Sequence, residues 1–311
     1  SKPDEAEKTL KPIADETPPN PRVLRLQARV ALQRQEYDQT TRLYEESLEQ
    51  QPENLDALKA LAVLYFEHEN NLEKTVEVCD RILQIDGRNL HALLYNAEAS
   101  ALLGEMDKAA TLYERLLGYH RTFVDRMDEL AQRLVNRVRR EDALTLYRRG
   151  VLALPSSDVL KRGFETLAGD GDTTSTLEAY RSLTEEAPNN LEIRKLYAQK
   201  LMQSRKWDQA ESEYRHILDM YPNDVAAHIS LAEIALQQGD VETAMERFES
   251  ALERHPTDPE VYATVARLYM VRGNLDRAER LLEQALLYGE NNATVLVLLA
   301  DVSERSGKVD K

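Results

Sequence analysis

Cysteine, tryptophan, glycine and proline are all scarce in this 311-residue chain, and each shortage excludes something. The one cysteine, Cys79, has no partner within the chain, so an internal disulfide framework is ruled out, and the redox compartment stays open. With 11 glycines in all, no phosphate-cradling glycine loop occurs, and HExxH, paired CxxC and GxSxG motifs are missing too. Positive charge is in deficit: 40 Lys and Arg face 55 Asp and Glu, for a net charge of −15 and a pI near 5.0. That balance opposes nonspecific binding of nucleic acid or anionic membrane by the body as a whole. Apolar runs are short, and none reaches the ~18 residues a membrane-spanning helix needs. No signal peptide is visible, but Ser1-Lys2-Pro3 does not look like a natural start, so that absence carries little weight.

What the chain does have is a period. Val225 to Asp258 holds two short amphipathic stripes joined at Gln238-Gly239-Asp240, with Pro256 as a stop. Neither helix is long enough to persist alone in water, so each must bury its stripe against its mate and the next pair along. Equivalent units start at Pro21, Leu55, Leu90, Val124, Ser157, Leu191, Val225, Pro259 and Ala293, in steps of 34, 35, 34, 33, 34, 34, 34 and 34 residues. The extra residue is expected in the turn near Asn70-Asn71. A fixed period of this length overrides the two-domain prior set by chain length, because stacked repeats share one continuous core.

Positions within a unit, counted from the start of its first helix, repeat their chemistry. The eighth is small (Ala28, Ala62, Ala97, Ala131, Ala198, Ala232, Ala266, Ala300), which lets the partner helix approach; Phe164 is the exception. The twentieth is small or short, from Ala6 and Thr40 to Ala244 and Ala278. The twenty-fourth is mostly a ring, as in Tyr44, Tyr113, Tyr147, Tyr180, Tyr214 and Phe248. Prolines close several units (Pro52, Pro155, Pro188, Pro222, Pro256).

These residues strongly resemble the tetratricopeptide repeat family over the whole chain. The resemblance implies an all-α fold, an α-α superhelix of antiparallel helix pairs. The repeats would be 21–54, 55–89, 90–123, 124–156, 157–190, 191–224, 225–258 and 259–292. A second helix of a truncated repeat would occupy 1–20, with Ala6, Leu10, Ile13 and Pro18 in phase, and a first helix of another 293–311. Ending in mid-repeat suggests a slice of a longer array. Family members usually act as protein-interaction scaffolds without catalysis, a step that rests on analogy.

The unit at Ser157 departs from the pattern. Gly163 and Phe164 stand where an apolar and a small residue are expected, and Gly169-Asp170-Gly171-Asp172 reads as a long turn before the mediocre helix formers Thr173 to Thr176. We read 163–176 as a degenerate repeat or a soft joint. Asp170-x-Asp172 lacks the glycine and bidentate glutamate of a calcium loop. The six histidines are scattered, and Cys79 and Trp207 fall at packing positions, so no catalytic residue, metal site or cofactor is expected.

By the resemblance, positions 2, 5, 6, 9, 12 and 13 of first helices face a concave groove. Its amino-terminal part offers Arg22, Arg25, Arg29 and Lys59, followed by Val63, Phe66, Leu94 and Tyr95. Asp125, Asp128 and Glu129 then turn it acidic, and Lys161, Arg162 and Lys195 restore positive charge. Toward Ala263, Thr264, Val297 and Leu298 the row becomes bland. A basic run beside apolar rings suits an acidic peptide or protein partner with an apolar anchor. Gln199 and Ser230 replace the asparagines of a two-carboxylate clamp, and no asparagine ladder is present. The knot Arg137, Arg139 and Arg140 lacks aromatic interleaving, so nucleic acid is not expected, nor membrane insertion by this segment; self-association stays open. The reading is an interaction scaffold. The alternatives are a repeat arm of a secretion or envelope assembly, or a substrate-recruiting arm of an enzyme whose catalytic domain lies elsewhere.

Overall fold

A computed structural model describes residues 20–307. The expected truncated helix over residues 1–20 lies outside this range apart from Asn20. The described residues are helices and turns throughout. The chain divides into two compact units after Thr176.

The first unit begins with α1 (Pro21–Gln33), α2 (Tyr37–Gln50), α3 (Leu55–Val63) and α4 (Leu72–Ile85). It continues through α5 (Leu90–Leu103), α6 (Met106–Tyr119), α7 (Phe123–Asn136), α8 (Arg140–Ala153) and α9 (Asp158–Gly169). Successive helices pack on each other across short turns, and the second helices α6 and α8 also pack together. The small residues sit where helices meet: Ala28, Ala97, Ala131 and Ala143 are fully buried, as are the rings of Tyr113 and Tyr147. One core cluster runs from Ala28 through Tyr44, Leu58, Leu61 and Cys79 to Ala92.

The second unit takes over in α10 (Thr173–Glu186) and continues with α11 (Leu191–Gln203), α12 (Trp207–Met220), α13 (Val225–Gln238) and α14 (Val241–Arg254). It ends with α15 (Pro259–Val271), α16 (Leu275–Tyr288) and α17 (Ala293–Arg305). Its core gathers Ala232, Ala244, Phe248, Ala266, Ala278 and Leu282 by the same small-against-large rule.

Two rows mark the ends of first helices. An Asn, Asp or Ser side chain caps the amino end of every described first helix except α7: Asn20, Asn54, Asn89, Ser157, Asn190, Asp224, Asp258 and Asn292 each accept from a first-turn N–H. Each such cap stabilises by about 1 kcal/mol. At the other end stands a residue in the left-handed region: Gln35, Asn70, Gly104, Val138, Asp170 with Gly171, Arg205, Gly239, Gly273 and Gly307. Glycine occupies this conformation without strain, whereas the β-branched Val138 does not.

Two irregularities differ from expectation. The extra residue of the second repeat is absorbed upstream of the turn, as a π-turn over Leu64–His68 in which Glu69 N–H donates to the Leu64 carbonyl at 3.0 Å. Widening the last turn of a helix keeps the buried Leu64 and Tyr65 in the core while the register shifts. At the aberrant repeat, Gly163 has a positive reason: a Cβ there would come within 2.2–2.6 Å of three Tyr147 ring carbons, so only glycine lets that ring approach the α9 backbone. Gly150 answers in kind, with Leu160 and Met127 atoms 3.1 Å from where its Cβ would be. The threonine-rich start of α10 is held by Asp172, which accepts from the Ser175 N–H at 2.8 Å and its hydroxyl at 3.0 Å. Those bonds hold the Asp172 carboxyl below its ordinary range.

Candidate functional site

The amino-terminal row is built on α1, α3 with its π-turn, and α5. Lys59, Val63 and Tyr95 line one cavity of about 250 Å³, together with Ala62, Ile82, Asn89, His91 and Ala92. Phe66 lies against Tyr95 with ring centroids 5.1 Å apart, and Leu94 is half-buried on the same helix as Tyr95. The π-turn carries Phe66, so the inserted residue sets how that ring meets its neighbour. Tyr95 donates its hydroxyl to Glu67 at 2.6 Å; burial and then this bond push the phenol well above its ordinary value.

Arg22, Arg25 and Arg29 lie on α1, outside the walls of that cavity. Arg22 and Arg29 are exposed; Arg25 is half-buried and donates to the Ser47 hydroxyl at 3.1 Å and the Gln51 side-chain oxygen at 2.7 Å. Both acceptors are neutral. Among the described residues, neither these arginines nor the exposed Lys59 has an ion pair.

The middle of the row is different. Asp128 accepts from the Tyr147 hydroxyl, and Glu129 accepts from Arg126 at 3.3 Å. Lys161 pairs with Asp158 at 2.8 Å, and Lys195 with Asp224 at 2.6 Å, while Arg162 donates to the Asp158 carbonyl. The acidic and basic patches expected there are largely consumed by neighbours. Arg139 likewise holds Asp142 at 2.5 Å and Arg140 holds Asp170 at 2.8 Å, so two arginines of the basic knot are tied into turns.

Two residues escaped the sequence reading. His91 stands at position 2 of its unit, which the row rule includes, and shares the Lys59 cavity. Glu98, at position 9, is 2% exposed and accepts from Arg126 Nη2 at 2.7 Å and Arg133 Nη2 at 3.0 Å. No single position would have revealed it, because both partners belong to the next repeat. Cys79 is fully buried, and burial, then the neighbouring Asp80, pushes its thiol up to about 12, which keeps it protonated and inert. Trp207 is half-buried at the wall of a larger cavity in the second unit. No helix of the described residues is long and apolar enough to cross a membrane.

Tetratricopeptide repeat models match residues 25–89 and, in overlapping windows, 167–234, 201–268 and 235–302. No curated protein matches the chain. Among solved structures, the chain is similar to yeast Tom70, at 14% identity over 93% of this chain and 82% of that one, with a TM-score of 0.40. It is also similar to a tetratricopeptide repeat protein from Parabacteroides merdae, at 14% identity over 91% and 98%, TM-score 0.36. A thermophilic repeat protein from Thermus thermophilus matches at 20% identity over 58% of this chain and 98% of that one, TM-score 0.40. Likeness at this level carries no information on partners.

Proposed function

Since the chain belongs to the tetratricopeptide repeat family, we propose that it is a protein-interaction scaffold whose amino-terminal groove takes an acidic peptide with an apolar anchor. The observation that supports this is the contrast in pairing: among the described residues Lys59 lines an open cavity beside Val63 and Tyr95 with no counter-ion, while Lys161 and Lys195 farther along are held by carboxylates. A partner carboxylate at Lys59 and His91 would place an adjoining apolar side chain on Val63 and the Phe66–Tyr95 pair. Arg22, Arg25 and Arg29 on the preceding repeat would take further acidic residues along an extended peptide.

Selection from a displayed random-peptide library tests this directly. Enriched sequences are expected to carry Asp or Glu next to a large apolar residue, and to bind at least tenfold more weakly to Lys59→Glu and to the pair Arg25→Glu, Arg29→Glu. Peptides whose affinity is indifferent to these changes would remove the groove from consideration.

A further inference from the structure

The second unit holds a cavity that the groove reading leaves unassigned. It measures about 380 Å³ and is walled by Met202, Trp207, Leu236 and Val271, with Glu233 and Arg272 as its charged groups. Three successive first helices contribute to it: Met202 from α11, Glu233 and Leu236 from α13, and Val271 from α15. Two features separate it from a packing defect. Val271 is 80% exposed although apolar, so part of the wall is an uncovered hydrophobic surface. Glu233 is half-buried and has no hydrogen-bond or ion-pair partner among the described residues.

The neighbouring cation does not supply the missing partner. Arg272 donates Nη2 to the Leu236 carbonyl at 3.2 Å, at the end of α13, instead of turning to Glu233. Burial alone raises the Glu233 carboxyl above its ordinary value, with no compensating donor. A half-buried carboxylate in an apolar wall is an unfavourable arrangement for the empty protein and a favourable one for a cation with an apolar stem.

We propose that this cavity is a receptor for a lysine side chain of a partner polypeptide, its methylenes lying against Met202, Trp207 and Leu236 and its ammonium against Glu233. The apolar wall suits the four-methylene stem of lysine better than the three-methylene stem of arginine, and the Glu233 carboxylate supplies the counter-ion. The indole face adds attraction for a desolvated ammonium. The site is separate from the amino-terminal groove and selects the opposite charge, so it stands or falls independently of the groove reading.

Trp207 is the only tryptophan and reports on the cavity without labelling. The intact chain is titrated with the N-acetyl, N′-methylamide derivatives of lysine, norleucine and glutamate at matched ionic strength while Trp207 fluorescence is followed. Saturable binding of the lysine derivative at least tenfold tighter than norleucine is expected. Glu233→Gln should abolish that advantage and leave the norleucine response unchanged. Arg272→Gln, which removes a like charge, should tighten lysine binding a few-fold, and so keeps the test decisive if Glu233→Gln disturbs the local fold. Equal binding of lysine and norleucine, preference for glutamate, weaker lysine binding in Arg272→Gln, or no saturable response to any derivative would each overturn the proposal.

Discussion

Removing Glu98 should cost less than removing its two arginines, and the reason is where the charges sit. The Glu98 carboxylate is 2% exposed, while Arg126 and Arg133 are 46% and 48% exposed. In Glu98→Gln the two guanidiniums are left with one neutral carbonyl acceptor between them and rehydrate in place. Two charge-assisted bonds, nominally about 1.5–3 kcal/mol each, are then discounted for solvent screening of the half-exposed partners. The expected loss is about 1–2 kcal/mol. In the double variant Arg126→Met, Arg133→Met the carboxylate stays in the core without a counter-ion, and the expected loss is about 3–5 kcal/mol. Adding Glu98→Leu to that double variant should recover most of it, since an apolar triad leaves no buried charge to desolvate. Urea unfolding followed by circular dichroism gives the order, provided the slopes with denaturant stay equal. If Glu98→Gln costs as much as the arginine pair, the carboxylate is not the buried, solvent-starved member and the reasoning fails.

Gly163→Ala should destabilise by at least about 1–3 kcal/mol by overpacking, and Tyr147→Leu should partly rescue it because the clash is with the Tyr147 ring; thermal melts of the single and paired variants check this. Val138 is 92% exposed at φ 61°, so Val138→Gly should stabilise by about 1 kcal/mol, measured as a raised urea midpoint. Glu233→Gln should stabilise the chain at neutral pH: a carboxyl raised above 4.5 by burial favours folding fully below that value and loses the contribution as pH rises through its folded pKa. The two unfolding curves should therefore separate above that range and merge below it. A nonspecific protease at low dose should cut first between Gly169 and Thr174, where two consecutive left-handed residues and exposed threonines sit, as mass spectrometry of the early fragments would show.

The fold was legible because its determinants repeat. Ala28, Ala97 and Ala131 are small and Tyr113 and Tyr147 large for one geometric reason, and a reason met in every unit stands out above local noise. The cap row has the same period in the sequence, with Asn20, Asn54, Asn89, Asn190, Asp224, Asp258 and Asn292 at one phase. The π-turn was not legible. An inserted residue can be absorbed at any point of a turn, and hydrogen-bond geometry, not residue type, places it at Leu64–His68. Gly163 read as a defect because its partner, the ring of Tyr147, lies in a different helix.

Charge was the hardest feature to read, and the structure shows why. Glu45 pairs with Lys74 at 2.7 Å, Asp80 with Lys108 at 2.8 Å and Glu249 with Arg277 at 2.6 Å. In repeat coordinates, allowing for the one-residue insertion, all three join position 25 of a second helix to position 19 of the next. Each pair is half-exposed, so its direct contribution is small, within about 0–1 kcal/mol. What such a row does well is fix which face of one repeat meets the next, since a slipped register leaves like charges opposed. Where the rule fails the chain improvises: Asp142 at position 19 would repel Glu114, and Glu114 pairs with Arg149 instead. A charged residue in a repeat therefore has a default occupation, and it becomes a candidate for recognition only when both its own row and its neighbours leave it without one. Among the described residues, Lys59 in the first unit and Glu233 in the second meet that condition, with opposite sign and each at the wall of a cavity.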